Sequence, residues 1–389
     1  MEKKLSAETL ELIKDLQAQC IGGTKDGKDV CKKCMAECKM MEKYTDCPKT
    51  LLEEAVKNEG MPKEIPYSCN MCRACTLVCP KGLELREGFM AIREDLTENN
   101  QGKSPIKGHG GIEMHQKLSF SKMFNTVNPH GKGGRRVFMP GCSLPSYSPE
   151  LVRNITEYLS REVEGLATVL KCCGKPTGLM GQKPLFEQRY ESLRKEFQDL
   201  GAREVIVACQ NCYNIVEKHS PDLKVTSLWT LLDEIGLPRE AKGIGEDSDL
   251  TFAIHDSCPT RNVPEIHQSI RNIMAELGYS TEELNHNKEK TRCCGMGGMV
   301  GAADFELAKS VMVSRGEEAK SEHMLVYCAS CRDAMAIAGK KPLHILDLIF
   351  GGPYHSNREI STAMANPVKN WTNRYKSKKA IEKVAPGKE

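Results

Sequence analysis

The sequence predicts an α/β protein in which a small, mainly helical, cysteine-rich module precedes two duplicated α/β domains, each built around a Cys-Cys-Gly triplet. Three observations carry that expectation. Eighteen of the 19 cysteines fall into four groups. Short β-rich runs lead directly into the later cysteines: RVFMPGC and EVIVAC in one stretch, TFAIHDSC and MLVYC in another. Those stretches are copies, because Cys142, Cys172 and Cys209 recur as Cys258, Cys293 and Cys328 at offsets of 116, 121 and 119 residues, a constancy that marks an internal duplication. Strand, ligand, helix is the repeating order. It places the cysteines at the carboxyl ends of strands, where open parallel sheets put their sites.

Residues 1–26 open on MEKKLSAETLELIKDLQ, an amphipathic helix pattern with interspersed charges and no apolar signal-peptide core. Residues 27–100 hold two groups of four, Cys31, Cys34, Cys38 and Cys47, then Cys69, Cys72, Cys75 and Cys79, on short loops between helical segments over 49–58 and 85–96. Residues 101–135, rich in Gly, Lys, Asn and His, read as a linker with one short helix. Residues 136–248 form the first Cys-Cys-Gly domain, with Cys142, Cys172, Cys173, Cys209 and Cys212. Residues 249–352 form the second, with Cys258, Cys293, Cys294, Cys328 and Cys331. Within it Ile266, Ile270, Ile273, Met274 and Leu277 recur at helical spacing over 264–277, and Gly278 stops the helix. Residues 353–389 are a basic tail: from Asn366 onward it carries seven Lys or Arg against two Glu, the pattern of a solvated segment that a docking partner can also use.

With 40% apolar and 28% charged residues, the composition is that of a soluble globular protein. No run approaches the ~18 apolar residues of a membrane helix. We therefore expect a cytoplasmic chain that reaches the inner face of a membrane only through a partner subunit. In a reducing compartment, 19 cysteines argue for metal ligation over disulfides. The formal charge of +3 counts thiols as neutral, whereas metal ligands are thiolates, so the loaded chain is more acidic than it looks and no nucleic-acid role follows.

The run Cys69-x-x-Cys72-x-x-Cys75-x-x-x-Cys79-Pro80 resembles the bacterial ferredoxin motif in full. There, three thiolates wrap one cubane and the fourth, redirected by proline, reaches the neighbouring cluster. The first group departs from that spacing after Cys34. On the ferredoxin pattern, Cys31, Cys34, Cys38 and Cys79 hold one cubane, and Cys69, Cys72, Cys75 and Cys47 the other. The Cys-Pro pairs favour this over two structural zinc sites. Cys20 stays outside both sets as a packed thiol, and its replacement is expected to leave the metal content unchanged.

Two five-cysteine groups downstream of such a module resemble the catalytic subunit of heterodisulfide reductase in its fused form, over roughly residues 30 to 350. The resemblance implies one non-cubane 4Fe-4S cluster on Cys142, Cys172, Cys173, Cys209 and Cys212, and a second on Cys258, Cys293, Cys294, Cys328 and Cys331. With the two cubane 4Fe-4S clusters, these reduce a small-molecule disulfide using electrons from a flavoprotein or ferredoxin-type donor. The layout is also similar to the iron–sulfur subunit of anaerobic glycerol-3-phosphate dehydrogenase, a conduit from flavin towards quinone.

The residues agree with that chemistry. Adjacent cysteines suit a cluster large enough to offer separate irons, since both on one iron would be strained. Gly174 and Gly295 let backbone amides approach the cluster sulfurs. Reducing a disulfide takes two electrons and two protons, while a cubane passes one electron at a time. His255 and Asp256, just before Cys258, and Lys175 are the nearest proton donors in sequence, although structural hydrogen bonding is the commoner role of such groups. GMGGMVG, with Gly297, Gly298 and Gly301, follows a ligand, and GKPT at Gly174 has proline where a phosphate loop needs Ser or Thr. Neither reads as a nucleotide site. Four four-iron clusters correspond to roughly sixteen irons per chain, with little zinc, after anaerobic reconstitution. Elemental analysis that plateaus near eight would mean that only one pair of sites loads.

Overall fold

The computed structural model describes residues 4–25, 28–131, 134–364 and 366–385. The chain forms two compact units, neither contiguous in sequence: Met1–Met114, Pro176–Phe186 and Arg292–Arg315 make the first, and His115–Lys175, Glu187–Thr291 and Gly316–Glu389 the second. Each repeat thus gives the segment around or after its Cys-Cys-Gly triplet to the first unit.

The first unit is mainly helical. Its only sheet among the described residues is the antiparallel pair β1 (Gly23–Lys25) and β2 (Lys28–Cys31). The N-terminal helix runs over Ala7–Gln19, with the Ser6 side chain accepting from the Thr9 amide as its cap, and packs on the helices Pro48–Lys57 and Leu85–Asn99. Both of those lie within a few residues of the stretches predicted.

The second unit holds two sheets. The first contains β3 (Thr126–Asn128), β4 (Arg136–Met139), β5 (Leu166–Leu170), β6 (Glu204–Val207) and β7 (Lys224–Ser227) in the order β3-β5-β4-β6-β7. The second contains β8 (Thr251–His255), β9 (Ser280–Glu283), β10 (His323–Val326) and β11 (Lys341–His344) in the order β11-β10-β8-β9. Apart from β3, which pairs antiparallel at an edge, all strands in both sheets are parallel. Without β3 the orders are β5-β4-β6-β7 and β9-β8-β10-β11, the same arrangement twice, so the duplication read from the cysteine offsets is one of topology.

The four predicted strand runs become β4, β6, β8 and β10. Their apolar residues are buried on both faces, as parallel strands between helices require. The helix Pro264–Leu277 ends where Gly278 turns left-handed at φ +84°. Phe138 and Ile206 from the first sheet, Phe252, Ile254 and Leu325 from the second, and Trp229, Ile270 and Ile345 from helices form one continuous core. Trp229 is fully buried, and its ring meets Tyr327 edge-on at 6.4 Å.

Two stretches are more ordered than the sequence implied. The linker holds the helix His109–Ser119 and also β3. The basic tail forms a helix over Pro367–Lys383, capped by the Asn366 side chain, and it packs on the helices Ser143–Tyr147 and Pro149–Glu162. Asn373 donates to the carbonyls of Ser146 and Tyr147, and Ser377 to that of Pro145 at 2.9 Å. Its polar, charged residues gave no apolar stripe to find, because docking runs through these hydrogen bonds, buried Arg374, the single core residue Ile381 and the Trp371 ring against Phe124. Among the described residues no helix is long and apolar enough to cross a membrane.

Trp229→Ala is expected to destabilise the second unit by about 3–5 kcal/mol, the cost of emptying a large buried aromatic site. A loss below about 1 kcal/mol in chemical denaturation would contradict a core shared by both sheets.

Candidate metal centres

β5, β4 and β6 are neighbours and run parallel, so their carboxyl ends lie side by side. Each delivers a cysteine there. Cys142 follows β4, Cys172 and Cys173 follow β5, and Cys209 follows β6 as the N-cap of the Gln210–His219 helix, which carries Cys212 in its first turn. The five thiols are linked by side-chain hydrogen bonds in the order Cys142, Cys172, Cys173, Cys212, Cys209. The hydrogen bond to Cys172, then burial, pushes Cys142 well above the ordinary thiol range. Cys173 is drawn the other way by hydrogen bonds from Cys172 and Cys212. Buried thiols this close can ionise together only around a cation.

The surrounding backbone is shaped to that group. Gly141 has φ +80°, and a Cβ there would sit 3.1 Å from Cys209 Cβ and 3.5 Å from Cys212 Sγ. The run PGC contained Gly141, yet nothing in it marked this glycine as different from a turn residue. Gly174 has φ +77° and points its amide at Cys172 Sγ, 3.4 Å away. Gln116 Nε2 lies 3.7 Å from the same sulfur. The carboxamide of Gln210, between two of the cysteines, is buried and has no partner for either polar atom among the described residues. Five clustered sulfurs, three of them on buried cysteines, beside a buried amide without a partner fit an iron–sulfur cluster, whose sulfides accept hydrogen bonds. Lys175 Nζ donates to Asn211 Oδ1 at 2.7 Å, tying the Cys-Cys-Gly turn to the Cys209-x-x-Cys212 loop, a structural role.

The unforeseen neighbour is Arg374. It comes from the C-terminal helix, is fully buried, and donates to the carbonyl of Phe124 at 3.3 Å. Burial disfavours its charge, while the thiolates of Cys142, Cys172 and Cys212 favour it. A guanidinium keeps its proton under such conditions, so it supplies positive charge to this group.

In the second repeat, Cys258 follows β8, and Cys328 follows β10 as the N-cap of the Ala329–Ile337 helix that carries Cys331. The Cys-x-x-Cys loops of the two repeats meet. Cys209 and Cys328 share a side-chain hydrogen bond, and the hydroxyls of Ser143 and Ser330 are 2.9 Å apart. His255 is fully buried at the end of β8, with a ring nitrogen within 4.8 Å of Cys331 Sγ. Asp256 has a different fate. Burial raises its carboxyl, but the two 2.8 Å hydrogen bonds from Arg271, that residue's charge and the Lys288 amide outweigh burial and hold it below the usual range. It is a structural anion and no proton donor.

Cys293 and Cys294 belong to the first unit. Gly295 has φ +96° and aims its amide at Cys293 Sγ at 3.3 Å, as Gly174 does at Cys172. The glycines that follow answer to packing. A Cβ on Gly298 would lie 2.0 Å from the Cys69 carbonyl oxygen, and one on Gly297 2.4 Å from that of Asn70 and 3.5 Å from Cys293 Sγ. Asn70 donates to the carbonyls of Gly295 and Gly297 at 3.2 and 3.3 Å. Fully buried Arg93 closes the junction, donating to the carbonyls of Pro66, Cys69, Leu179 and Gly298 at 2.7–2.9 Å. The glycine-rich loop is therefore a seat for the Cys69–Asn70 backbone.

The cysteines near the N-terminus fall into two neighbourhoods that share Cys75. Cys34 interacts with Cys20, Cys31, Cys79 and Cys75, and Cys38 with Cys69, Cys72 and Cys75. One extra residue after Cys34 is taken up in a 3₁₀ turn over Met35–Glu37, and the Lys39–Tyr44 helix starts directly at Cys38. Cys47 lies beside Cys20 across Gly22.

Comparison with known proteins agrees with this layout. The 4Fe-4S dicluster domain family matches residues 29–84, and the cysteine-rich domain family matches residues 137–217 and again 252–336. The chain carries a 4Fe-4S dicluster domain followed by two copies of the cysteine-rich domain, and its relatives include heterodisulfide reductase. It is 24% identical over 314 residues to one subunit of the dihydromethanophenazine:CoB–CoM heterodisulfide reductase of Methanosarcina acetivorans, covering 74% of each chain. It is 24% identical to one subunit of the fumarate reductase (CoM/CoB) of Methanothermobacter marburgensis, over 76% of this chain and 63% of that one. It is 22% identical to the EtfAB:quinone oxidoreductase of Syntrophomonas wolfei, over 77% of this chain but only 45% of the relative. The last two proteins are thus substantially longer than the part that this chain matches.

Replacing Arg374 with Gln removes the buried cation beside Cys142, so reduction of the adjacent centre, which adds negative charge, becomes harder. Its midpoint potential is expected to fall by tens of millivolts in an anaerobic redox titration, with the other centres unmoved. An unchanged potential would show that the guanidinium acts only in packing.

Proposed function

We propose that the chain passes single electrons through two cubane clusters in its N-terminal module to a pair of non-cubane clusters, where a small-molecule disulfide is reduced. The observation that carries this reading is the Arg93 junction. It packs the Cys69–Asn70 loop, part of one cubane's ligand set, against the loop of Cys293, a ligand of the second non-cubane cluster. Two cluster loops held in backbone contact make a short electron path. The hydrogen bond between Cys209 and Cys328 joins the Cys-x-x-Cys loops of the two repeats, which supports the two sets acting as a pair on one bond.

When bound, the clusters supply electrons singly and iron to which sulfur binds. The remainder is the work of the chain. Reduction of RSSR′ consumes two electrons and two protons and yields RSH and R′SH. His255, buried beside Cys331, is placed to hold one of those protons. Gly174 and Gly295 aim amides at ligand sulfurs, which stabilises the more negative, reduced state. The electrons come from a flavoprotein or ferredoxin-type partner in the cytoplasm, with a membrane engaged only through a partner protein.

A second reading is a conduit that carries electrons from a flavin-containing partner towards quinone. The similarity to a protein named EtfAB:quinone oxidoreductase favours it. The two readings differ in what a thiol does. If the chain reduces disulfides, a thiol product added to the oxidised, loaded protein is expected to give a new paramagnetic signal on one-electron oxidation. Cys294→Ser and Cys331→Ser are expected to abolish that signal and disulfide turnover while leaving the cubane spectrum intact. No thiol-dependent signal across a broad thiol panel, together with activity only in the presence of a dehydrogenase partner, would establish the conduit.

A further inference from the structure

Cys20 lies at the end of the N-terminal helix, outside the stretch 29–84 that matches the dicluster family. The ferredoxin spacing gives it no role. The structure gives it a setting shared with ligands. A cavity in the first unit is lined by Cys20, Cys31, Cys34, Cys75 and Cys79, so Cys20 completes a ring of sulfurs around one space. Its sulfur accepts a hydrogen bond from the amide of Gly22, two residues on. The same contact from residue i+2 occurs at Cys69, from Met71 at 3.4 Å, and at Cys172 and Cys293, from Gly174 and Gly295. All three are ligand positions. Gly22 itself leaves no room for a side chain, since a Cβ there would stand 2.6 Å from Cys47 Sγ and 3.3 Å from Cys20 Sγ.

Displacement of Cys38 creates the need. Cys38 lies against Cys69 and Cys72, and Cys75 adjoins all three more strongly than it does Cys34, so these four make one group. Cys31, Cys34 and Cys79 are then one short, and a cubane takes four cysteines. Cys75 also lines the cavity, but its larger interactions are with Cys69, Cys72 and Cys38; Cys47 is close to Cys20 and does not line it.

We propose that Cys20 is the fourth ligand of the first cubane, with Cys31, Cys34 and Cys79, and that Cys38 completes the second with Cys69, Cys72 and Cys75. Cys47 is then a neighbouring thiol and no ligand. This rests on the dicluster domain alone and is independent of the disulfide-reductase reading.

The test is a set of alanine variants of the full chain at Cys20, Cys38 and Cys47, reconstituted anaerobically and measured for iron and for the paramagnetic signals of the reduced cubanes. Cys20→Ala is expected to lose about four irons and one cubane signal while the second persists. Cys38→Ala is expected to lose the other signal, and Cys47→Ala to keep both. Full iron with both signals in Cys20→Ala would overturn the assignment, as would loss of a cubane in Cys47→Ala. Should the alanine variant fail to fold by circular dichroism, Cys20→Ser decides, because it is nearly isosteric and keeps the helix end packed. An altered or missing first-cubane signal in it supports ligation, and an unaltered spectrum overturns it.

Discussion

The rest of the structure depends on gathering anionic sulfurs away from water. A buried thiolate costs several kcal/mol unless a cation stands beside it, so each ligand group needs a rigid frame that fixes its sulfurs before metal arrives. Adjacent parallel strands provide that frame. Strands roughly 5 Å apart bring the ends of β5, β4 and β6 together, and four of the five thiols of the first set hang on the short segments that follow those ends. The central strands β4, β5, β6, β8 and β10 are mostly apolar because both of their faces are buried. Opposing charge arrives from outside the repeat, in the guanidinium of Arg374.

The two repeats share a strand order but not a use. In the first, only Lys171 separates β5 from Cys172, and the triplet stays at the sheet edge. In the second, residues 284–292 intervene between β9 and Cys293, and this longer approach, partly offset by a shorter run from Cys258 to the end of β9, widens the offset from 116 to 121. The added length carries Cys293 and Cys294 into the first unit, where Gly297 and Gly298 allow backbone contact with Asn70 and Cys69. One copy of the duplication thus gives its Cys-Cys-Gly loop to contact with the Cys69–Asn70 backbone. Arg93 holds that contact through carbonyls alone, so its charge stabilises the junction without competing for a ligand sulfur.

Much of this was legible in the chain. Cysteine spacing named the chemistry, offsets named the duplication, and period-3.6 apolar residues with a terminal glycine located the helix Pro264–Leu277 to the residue. Those are local or repetitive signals, and spacing alone carries them. The candidate proton donors divided once partners were visible: Asp256 is held by Arg271 and Lys175 by Asn211, whereas His255 stands beside Cys331.

The sequence by itself determined that this is an iron–sulfur protein with paired, duplicated α/β domains, because ligand identity and strand-to-ligand spacing are written along the chain. Tertiary structure alone decided which sulfurs are neighbours. Cys38 lies against Cys69 and Cys72, and Cys20 and Arg374 reach their sites from helices that lie outside the ligand runs. Such approaches leave no periodicity, since what brings the groups together is packing between segments distant in the chain.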